Sequence, residues 1–283
     1  MQNRTPAIPP KPALTGDGVT TNEDDKRFQS WDGVPDLFRS GNNSLPQPWQ
    51  EIFGPLQTPG KGGMTVIGQI GQSLDGRIAT PSGHSHYVNG DDGLAHLHRL
   101  RALVDAVVVG IGTVLADDPQ LTVRRVNGPQ PARVVIDPNR KLPHSARMLA
   151  DDGVRRIILT DDARRADLPE GAEILPVKRV DGSIPPQAIL DALGGLGFHR
   201  ILIEGGANTV SRFLSAGCLD RLHVVVAPIV IGSGPAGLSL APIEKMDQAL
   251  RFPVRTHNLG AEILFDCDLS AQRLSGGSTK KST

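Results

Sequence analysis

The stretch Ala106-Val-Val-Val-Gly110-Ile-Gly112-Thr113-Val-Leu-Ala-Asp117-Asp118-Pro119 runs three consecutive valines into a glycine-containing turn. A short apolar run rich in β-branched residues reads as a strand covered on both faces, the usual appearance of a strand in a parallel sheet. The G-x-G-T that follows suits an anion held by backbone N–H groups and a hydroxyl. It is not the dinucleotide fingerprint, because Leu115 stands where a third glycine is required. An ordinary Rossmann assignment therefore fails.

Outward from this stretch, apolar runs alternate with amphipathic ones. Strands are predicted over Thr65–Ile70, Ala106–Val109, Arg133–Ile136, Arg156–Thr160, Arg200–Ile203, Arg221–Ala227 and Glu262–Cys267. Helices are predicted over Asp91–Leu103, Pro186–Leu196 and Thr209–Ser215. This alternation implies an α/β fold with a mixed, mostly parallel sheet and helices on both faces. Few helical residues separate the last runs, so antiparallel strands are expected at the C-terminal edge. Ligands of such sheets bind at the carboxyl ends of strands. Three further junctions of that kind are present: Gly68-Gln-Ile-Gly71-Gln-Ser73-Leu-Asp75-Gly76-Arg77-Ile-Ala79, Ile201-Leu-Ile-Glu204-Gly205-Gly206-Ala-Asn208-Thr209 and Ala227-Pro228-Ile-Val-Ile-Gly232-Ser233-Gly234. In the second of these a helix starting near Asn208 would turn its free N–H groups toward a pyrophosphate.

Composition narrows the function. Lys+Arg and Asp+Glu are both 30 among 283 residues, so the formal net charge is +0, which argues against a nucleic-acid binder. A small anion remains compatible, since it needs only a few placed donors. No apolar stretch reaches membrane-spanning length and no signal core opens the chain, which predicts no membrane association. The 2 cysteines, Cys218 and Cys267, are far apart and lack ligand-spaced partners, so neither a disulfide framework nor a zinc site is expected; a cytoplasmic location is. The His96-Leu-His98 pair lies two residues apart on a helix and cannot share an ion, and no metal is predicted. No G-x-S-x-G marks a serine nucleophile.

Residues 1–27 are polar, proline-rich and aperiodic, and are predicted to be a disordered tail, as are residues 271–283. Between 28 and 63 lie the aromatic anchors Phe28, Trp31, Phe38, Trp49 and Phe53. They predict an arm packed on the domain formed by residues 64–270, with no function of its own.

The motifs Ser73-Leu-Asp75-Gly76-Arg77-Ile-Ala79, Leu100-Arg101-Ala102, Gly112-Thr113-Val-Leu-Ala-Asp117-Asp118-Pro119-Gln-Leu121-Thr-Val-Arg124, Val135-Ile-Asp137, Glu204-Gly205-Gly206 and Ala227-Pro228 occur in this order. From about Met64 to Asp268 the chain thereby resembles the reductase domain of the riboflavin pathway, the C-terminal domain of bifunctional RibD proteins. The H-x-E and P-C-x-x-C signature of the accompanying deaminase is absent, so the resemblance is to a stand-alone reductase. It implies a dihydrofolate-reductase-like fold, a homodimer and NADPH as cofactor. The implied substrate is a ribosylaminopyrimidine 5′-phosphate, whose sugar opens to an imine that receives hydride at C1′. By position, it implies substrate contacts at Ser85, Arg101, Leu121, Arg124 and Glu204. Cofactor contacts are implied at Gly71, Tyr87, Thr113, Asp117, Pro138 and the run Gly206, Ala207, Asn208, Thr209, Val210, Ser211 and Arg212. Asp75, Glu204 and water remain alternative proton donors. Tyr87 stands where the family often carries Trp, and Gly71 where Ala is common. The arm and Tyr87 keep open a related NADPH-dependent reductase of pterin or dihydrofolate type; a non-catalytic NADPH-binding protein is a third reading, against which the retained Arg101, Arg124 and Glu204 speak.

Overall fold

The computed structural model describes residues 30–41, 44–85, 88–161 and 170–274. The predicted tail 1–27, Tyr87 and residues 275–283 lie outside them; of the predicted tail 271–283, residues 271–274 are ordered, with Arg273 buried and the Leu274 N–H donating to the Gly217 carbonyl.

Two short helices come first, α1 (Val34–Ser40) and α2 (Trp49–Phe53). Strand β1 (Thr65–Ser73) leads to α3 (Asp91–Leu103), and β2 (Ala106–Gly110) to α4 (Ile111–Asp117). Strands β3 (Ala132–Ile136), β4 (Arg156–Thr160) and β5 (Ala172–Pro176) follow, then α5 (Pro186–Gly195), β6 (Arg200–Ile203) and α6 (Ala207–Ser215). Strands β7 (Arg221–Ala227), β8 (Val254–Leu259) and β9 (Glu262–Asp268) complete the fold. Among the described residues these nine strands form one sheet in the order β5-β4-β3-β2-β6-β1-β7-β9-β8. Every pairing from β5 to β7 is parallel; β9 and β8 add antiparallel strands at one edge.

The alternating pleat divides the core into two layers. On one face Ile67, Val107, Val109, Val135 and Leu202 pack against Leu100 and Leu103 of α3 and against Phe38, Trp49 and Phe53. On the other, Val66, Val108, Val134 and Ile203 pack against Leu190 and Leu193 of α5 and Val210 and Phe213 of α6. Residues 30–56 thus supply part of a core layer: Phe38, Phe53 and Leu56 are fully buried. The α/β class, the mostly parallel sheet and the two-faced helical cover match the sequence reading. Strands β5 and β8 and helix α4 are additional. β5 is only half-buried, and β8 (V-R-T-H-N-L) buries Leu259 alone, so neither carries the unbroken apolar run of an interior strand.

The first layer contains a charged-group cluster. The rings of Phe53 and His96 stack at 5.5 Å, and His96 Nε2 lies 3.0 Å from His223 Nδ1. His223 Nε2 is in turn 3.2 Å from Asp266, which takes a paired contact from Arg221. Burial, then the neighbouring His223 and Arg99, holds the His96 pKa well below its usual value. The unfolded chain therefore takes up a proton below about pH 6.5 that the folded chain refuses, so stability falls as pH drops through that range. We expect His96 to contribute up to about 1.4 kcal/mol per pH unit to the loss of stability below about pH 6.5 in urea unfolding, beside the contributions of His98 and His257, and the slope to be smaller by that amount in His96→Gln. A wild-type slope equal to that of the variant would contradict this account.

Candidate active site

Strands β2 and β6 are parallel neighbours, with Ala106 opposite Ile201 and Val108 opposite Ile203. After β2 the chain turns to one face, where Val114 of α4 joins the first core layer; after β6 it turns to the other, where Val210 of α6 joins the second. Adjacent strands whose connections diverge to opposite faces open a crevice at their carboxyl ends. Both helices that bound it begin at an extended glycine, Gly110 or Gly206, and neither start has a side-chain cap. Thr113 Oγ1 accepts the Gly206 N–H at 2.9 Å. Gly205 has φ 106°, and a Cβ there would lie 2.5 Å from that same hydroxyl. A Cβ on Gly110 would likewise meet Thr209 Oγ1. The two helix starts interlock through positions where only glycine fits, and their uncapped ends turn donors and positive dipole toward one cleft. This arrangement fits the pyrophosphate of a dinucleotide.

The second half of the site is cationic. Arg101, on α3, makes a paired contact with Glu204 at the end of β6, with Nε–Oε1 2.8 Å and Nη2–Oε2 2.7 Å. Both side chains are buried. Its Nη1 donates to the Thr122 carbonyl at 3.0 Å, so the ion pair also fixes the strand of loop that bears Arg124. The backbone N–H of Arg124 donates to His98 Nδ1 at 3.0 Å. Burial, reinforced by Arg101, Arg124 and Arg125, lowers the His98 pKa to about 3, which keeps the ring neutral and Nδ1 free to accept. The Arg124 guanidinium is exposed at the cleft; among the described residues its hydrogen bond is to the Thr122 hydroxyl at 3.3 Å. Burial and the positive charge of Arg101, Arg125 and Arg147 lower its pKa from the ordinary arginine value. Arg101 is paired with Glu204 and Arg125 with Asp91, so the guanidinium placed to meet an anion is that of Arg124.

The other sequence-predicted residues fall into three groups. Ser85 donates to Asp117 at 3.2 Å, which joins a predicted substrate contact to a predicted cofactor contact. Leu121 is buried with φ 57°, a strained backbone for a leucine that turns the chain from Asp117–Asp118 into the Arg124 loop. Pro138 follows β3 beside β2, and its carbonyl is taken by Arg179. Within α6, Ala207, Asn208 and Thr209 lie at the open start. Val210 is fully buried, the Ser211 hydroxyl accepts the Ser239 N–H, and Arg212 donates to the Ile184 carbonyl, so these three side chains are engaged away from the crevice. The space beside Gly71 is filled by Asn89, whose amide donates to Glu262 at 2.8 Å. Asp75 receives Ser73 Oγ–H, Ile231 N–H and Gly232 N–H, bonds that hold its carboxyl at about 2 and leave it tying the β7 turn together. The sequence reading assigns no site role to His98, Thr122 or Asn89. Thr122 lies inside the D-D-P-x-L-T-V-R block, but nothing local marks the other two.

Residues 64–263 match the family model of the RibD C-terminal domain. The chain belongs to this family. It is 35% identical over 212 residues to the 2,5-diamino-6-ribosylamino-4(3H)-pyrimidinone 5′-phosphate reductase of Methanothermobacter thermautotrophicus, with 71% of this chain and 96% of that protein covered. Riboflavin biosynthesis protein RibD of Actinobacillus pleuropneumoniae is 30% identical over 209 residues, of which this chain spans only 56% of the length. The solved structure of Acinetobacter baumannii RibD superposes with a TM-score of 0.64 at 31% identity, covering 73% of this chain and 58% of that one. The RibD C-terminal domain here thus spans nearly the whole of a stand-alone reductase and about half of the longer RibD proteins. Residues 30–63, including the helices α1 and α2, precede the matched region.

Proposed function

We propose that this RibD C-terminal domain is an NADPH-dependent reductase of a ribosylaminopyrimidine 5′-phosphate. The observation that carries the reading is the placement of an uncapped double helix start at Thr113–Gly206 and of the Arg101–Glu204 pair, which ties down the loop of Arg124, at the carboxyl ends of the neighbouring strands β2 and β6. The first suits a pyrophosphate and the second a phosphorylated polyol. Bound NADPH supplies the hydride. A cavity lined by Asp137, Arg140, His144 and Thr160 together with Leu142, Ile158 and Ile174 opens at the ends of β3 and β4, one strand beyond β2, and Arg140 and His144 are the groups there that would meet the additional phosphate that separates NADPH from NADH.

The residues of this chain bind and orient. Arg124 takes the substrate phosphate, and Glu204, held rigid by Arg101, accepts hydroxyl hydrogens of the opened sugar. Asp75 and Glu204 are both committed, the first to backbone amides and the second to a guanidinium, so the proton for the reduced nitrogen comes from solvent. Thr113→Val removes the acceptor of the Gly206 N–H and is expected to weaken NADPH binding about tenfold, the cost of about 1–2 kcal/mol for an unpaired amide. An unchanged NADPH titration would contradict Thr113's role.

The reaction is tested by following NADPH oxidation with the amino and the deaminated ribosylaminopyrimidine 5′-phosphates and with dihydrofolate. Turnover of either pyrimidine alone supports the proposal, and turnover of dihydrofolate alone would replace it with the pterin-type alternative.

We further propose that the domain is a homodimer through the outer sheet edge. Val254, Ile263 and Phe265 share one face of β8 and β9 and are exposed, beside half-buried Val224 and Val226 of β7. An uncovered apolar sheet face of this kind is characteristic of an interface. Phe265→Glu is expected to convert a dimer to a folded monomer in light scattering, and a variant of unchanged mass would overturn this assignment.

A further inference from the structure

The segment that precedes the family-matched region is fastened to the part of the site that carries Arg124. It grips one face of α3 over successive turns: Phe53 stacks on His96, Trp49 lies 4.5 Å from the Arg99 guanidinium, and Arg39 donates to the Ala102 carbonyl at 3.1 Å. That carbonyl is one of the orphan acceptors at the helix end, next to Arg101. The same segment reaches past α3 to the loop of residues 122–130. Trp31 Nε1–H donates to the Asn127 carbonyl at 2.6 Å, and Asp32 accepts from the Asn127 side chain at 3.0 Å. Gly128 comes close enough to α3 that a Cβ would sit 2.6 Å from Ala102, with Pro35 as the next neighbour.

The rest of the loop is tied at its base. Gln130 pairs with both the N–H and the carbonyl of Val123, and His98 takes the Arg124 N–H. The tip at Asn127 and Gly128 has its backbone and side-chain ties to Trp31 and Asp32. An exposed guanidinium keeps a fixed origin only while its loop is pinned at both ends, since a free tip regains conformational entropy that ligand binding must then remove.

We infer that residues 30–56 are a positioning element of the active site, holding loop 122–130 so that Arg124 meets the substrate phosphate. This rests on the phosphate role proposed for Arg124, and Trp31 and Asp32 act through the loop without touching the ligand. On this inference the arm has a role at the site, where the sequence reading gave it none of its own.

The test uses the full chain and ribose 5-phosphate as the probe, with binding measured by calorimetry and NADPH binding by fluorescence titration. Trp31→Phe keeps the ring packing and removes the donor to Asn127. Asp32→Ala removes the second tie at an exposed position with no core cost. Both are expected to weaken ribose 5-phosphate about three- to tenfold, the range for removal of one hydrogen bond, with NADPH affinity unchanged. In turnover, KM for the phosphorylated pyrimidine rises while kcat holds. If both variants bind the probe as wild type does while Arg124→Ala binds it more than tenfold more weakly, the positioning role is overturned and the phosphate role stands. If Arg124→Ala is also without effect, the phosphate role fails and the inference fails with it. Equal losses for both ligands would mark general destabilisation and would likewise overturn the inference.

Discussion

Arg124→Ala is expected to raise KM for the 5′-phosphorylated pyrimidine about ten- to hundredfold, with kcat and NADPH affinity nearly intact. The size follows from one charge-assisted hydrogen bond, worth about 1.5–3 kcal/mol. The selectivity follows from placement. Arg124 is exposed on the loop beyond Leu121, and among the described residues its side chain bonds to Thr122, so its removal disturbs neither the helix start at Gly206 nor the core. An interaction that holds substrate and transition state equally sets KM and leaves kcat untouched. Arg124→Lys should recover only part of the affinity, because an ammonium lacks the forked geometry that meets two phosphate oxygens. Steady-state kinetics with both ligands varied reads all three quantities. Equal loss toward NADPH and pyrimidine would contradict the assignment.

Glu204→Ala has the larger expected effect on the molecule as a whole. It strands the Arg101 guanidinium in a buried site with the Thr122 carbonyl as its remaining acceptor. Breaking a buried pair by removing one partner costs about 3–5 kcal/mol, and the carboxylate proposed to meet the sugar hydroxyls is lost with it. Turnover should fall below detection and the urea midpoint should drop sharply. The double variant Arg101→Met/Glu204→Leu separates the two effects. Exchanging a buried pair for apolar groups of similar volume is often neutral in stability, so the double variant should regain most of the midpoint while remaining inactive. Recovered activity would show that the pair serves only the fold.

Much of this is legible in the sequence, for physical reasons that differ by element. Interior strands such as Ala106–Gly110 are covered on both faces and therefore spell themselves as apolar runs. The cleft is legible because close approach of Gly205 to Thr113 demands a residue without a side chain. Strands β5 and β8 are hidden because an edge strand needs only one apolar contact or none. Helix α4 is hidden behind its own glycines, which look like a loop until Val114 is seen buried beneath them. Within α6, the run Gly206–Arg212 reads as a single motif, but a helix turns its residues through every direction, and only its first turn faces the crevice. The Asn89–Gly71 and Arg124–His98 contacts join residues far apart in the chain, and no local pattern announces them. The arm's aromatic residues announce packing, yet their grip on the Asn127 loop depends on two hydrogen bonds that composition does not show.

The most direct test of the crevice is a crystal of the protein soaked with NADP⁺ and ribose 5-phosphate together. The account predicts pyrophosphate oxygens on the N–H groups at the start of α6 beside Thr113, and the sugar phosphate on Arg124 with its hydroxyls toward Glu204. Dinucleotide density in any other cavity, with the start of α6 left to solvent, would contradict it.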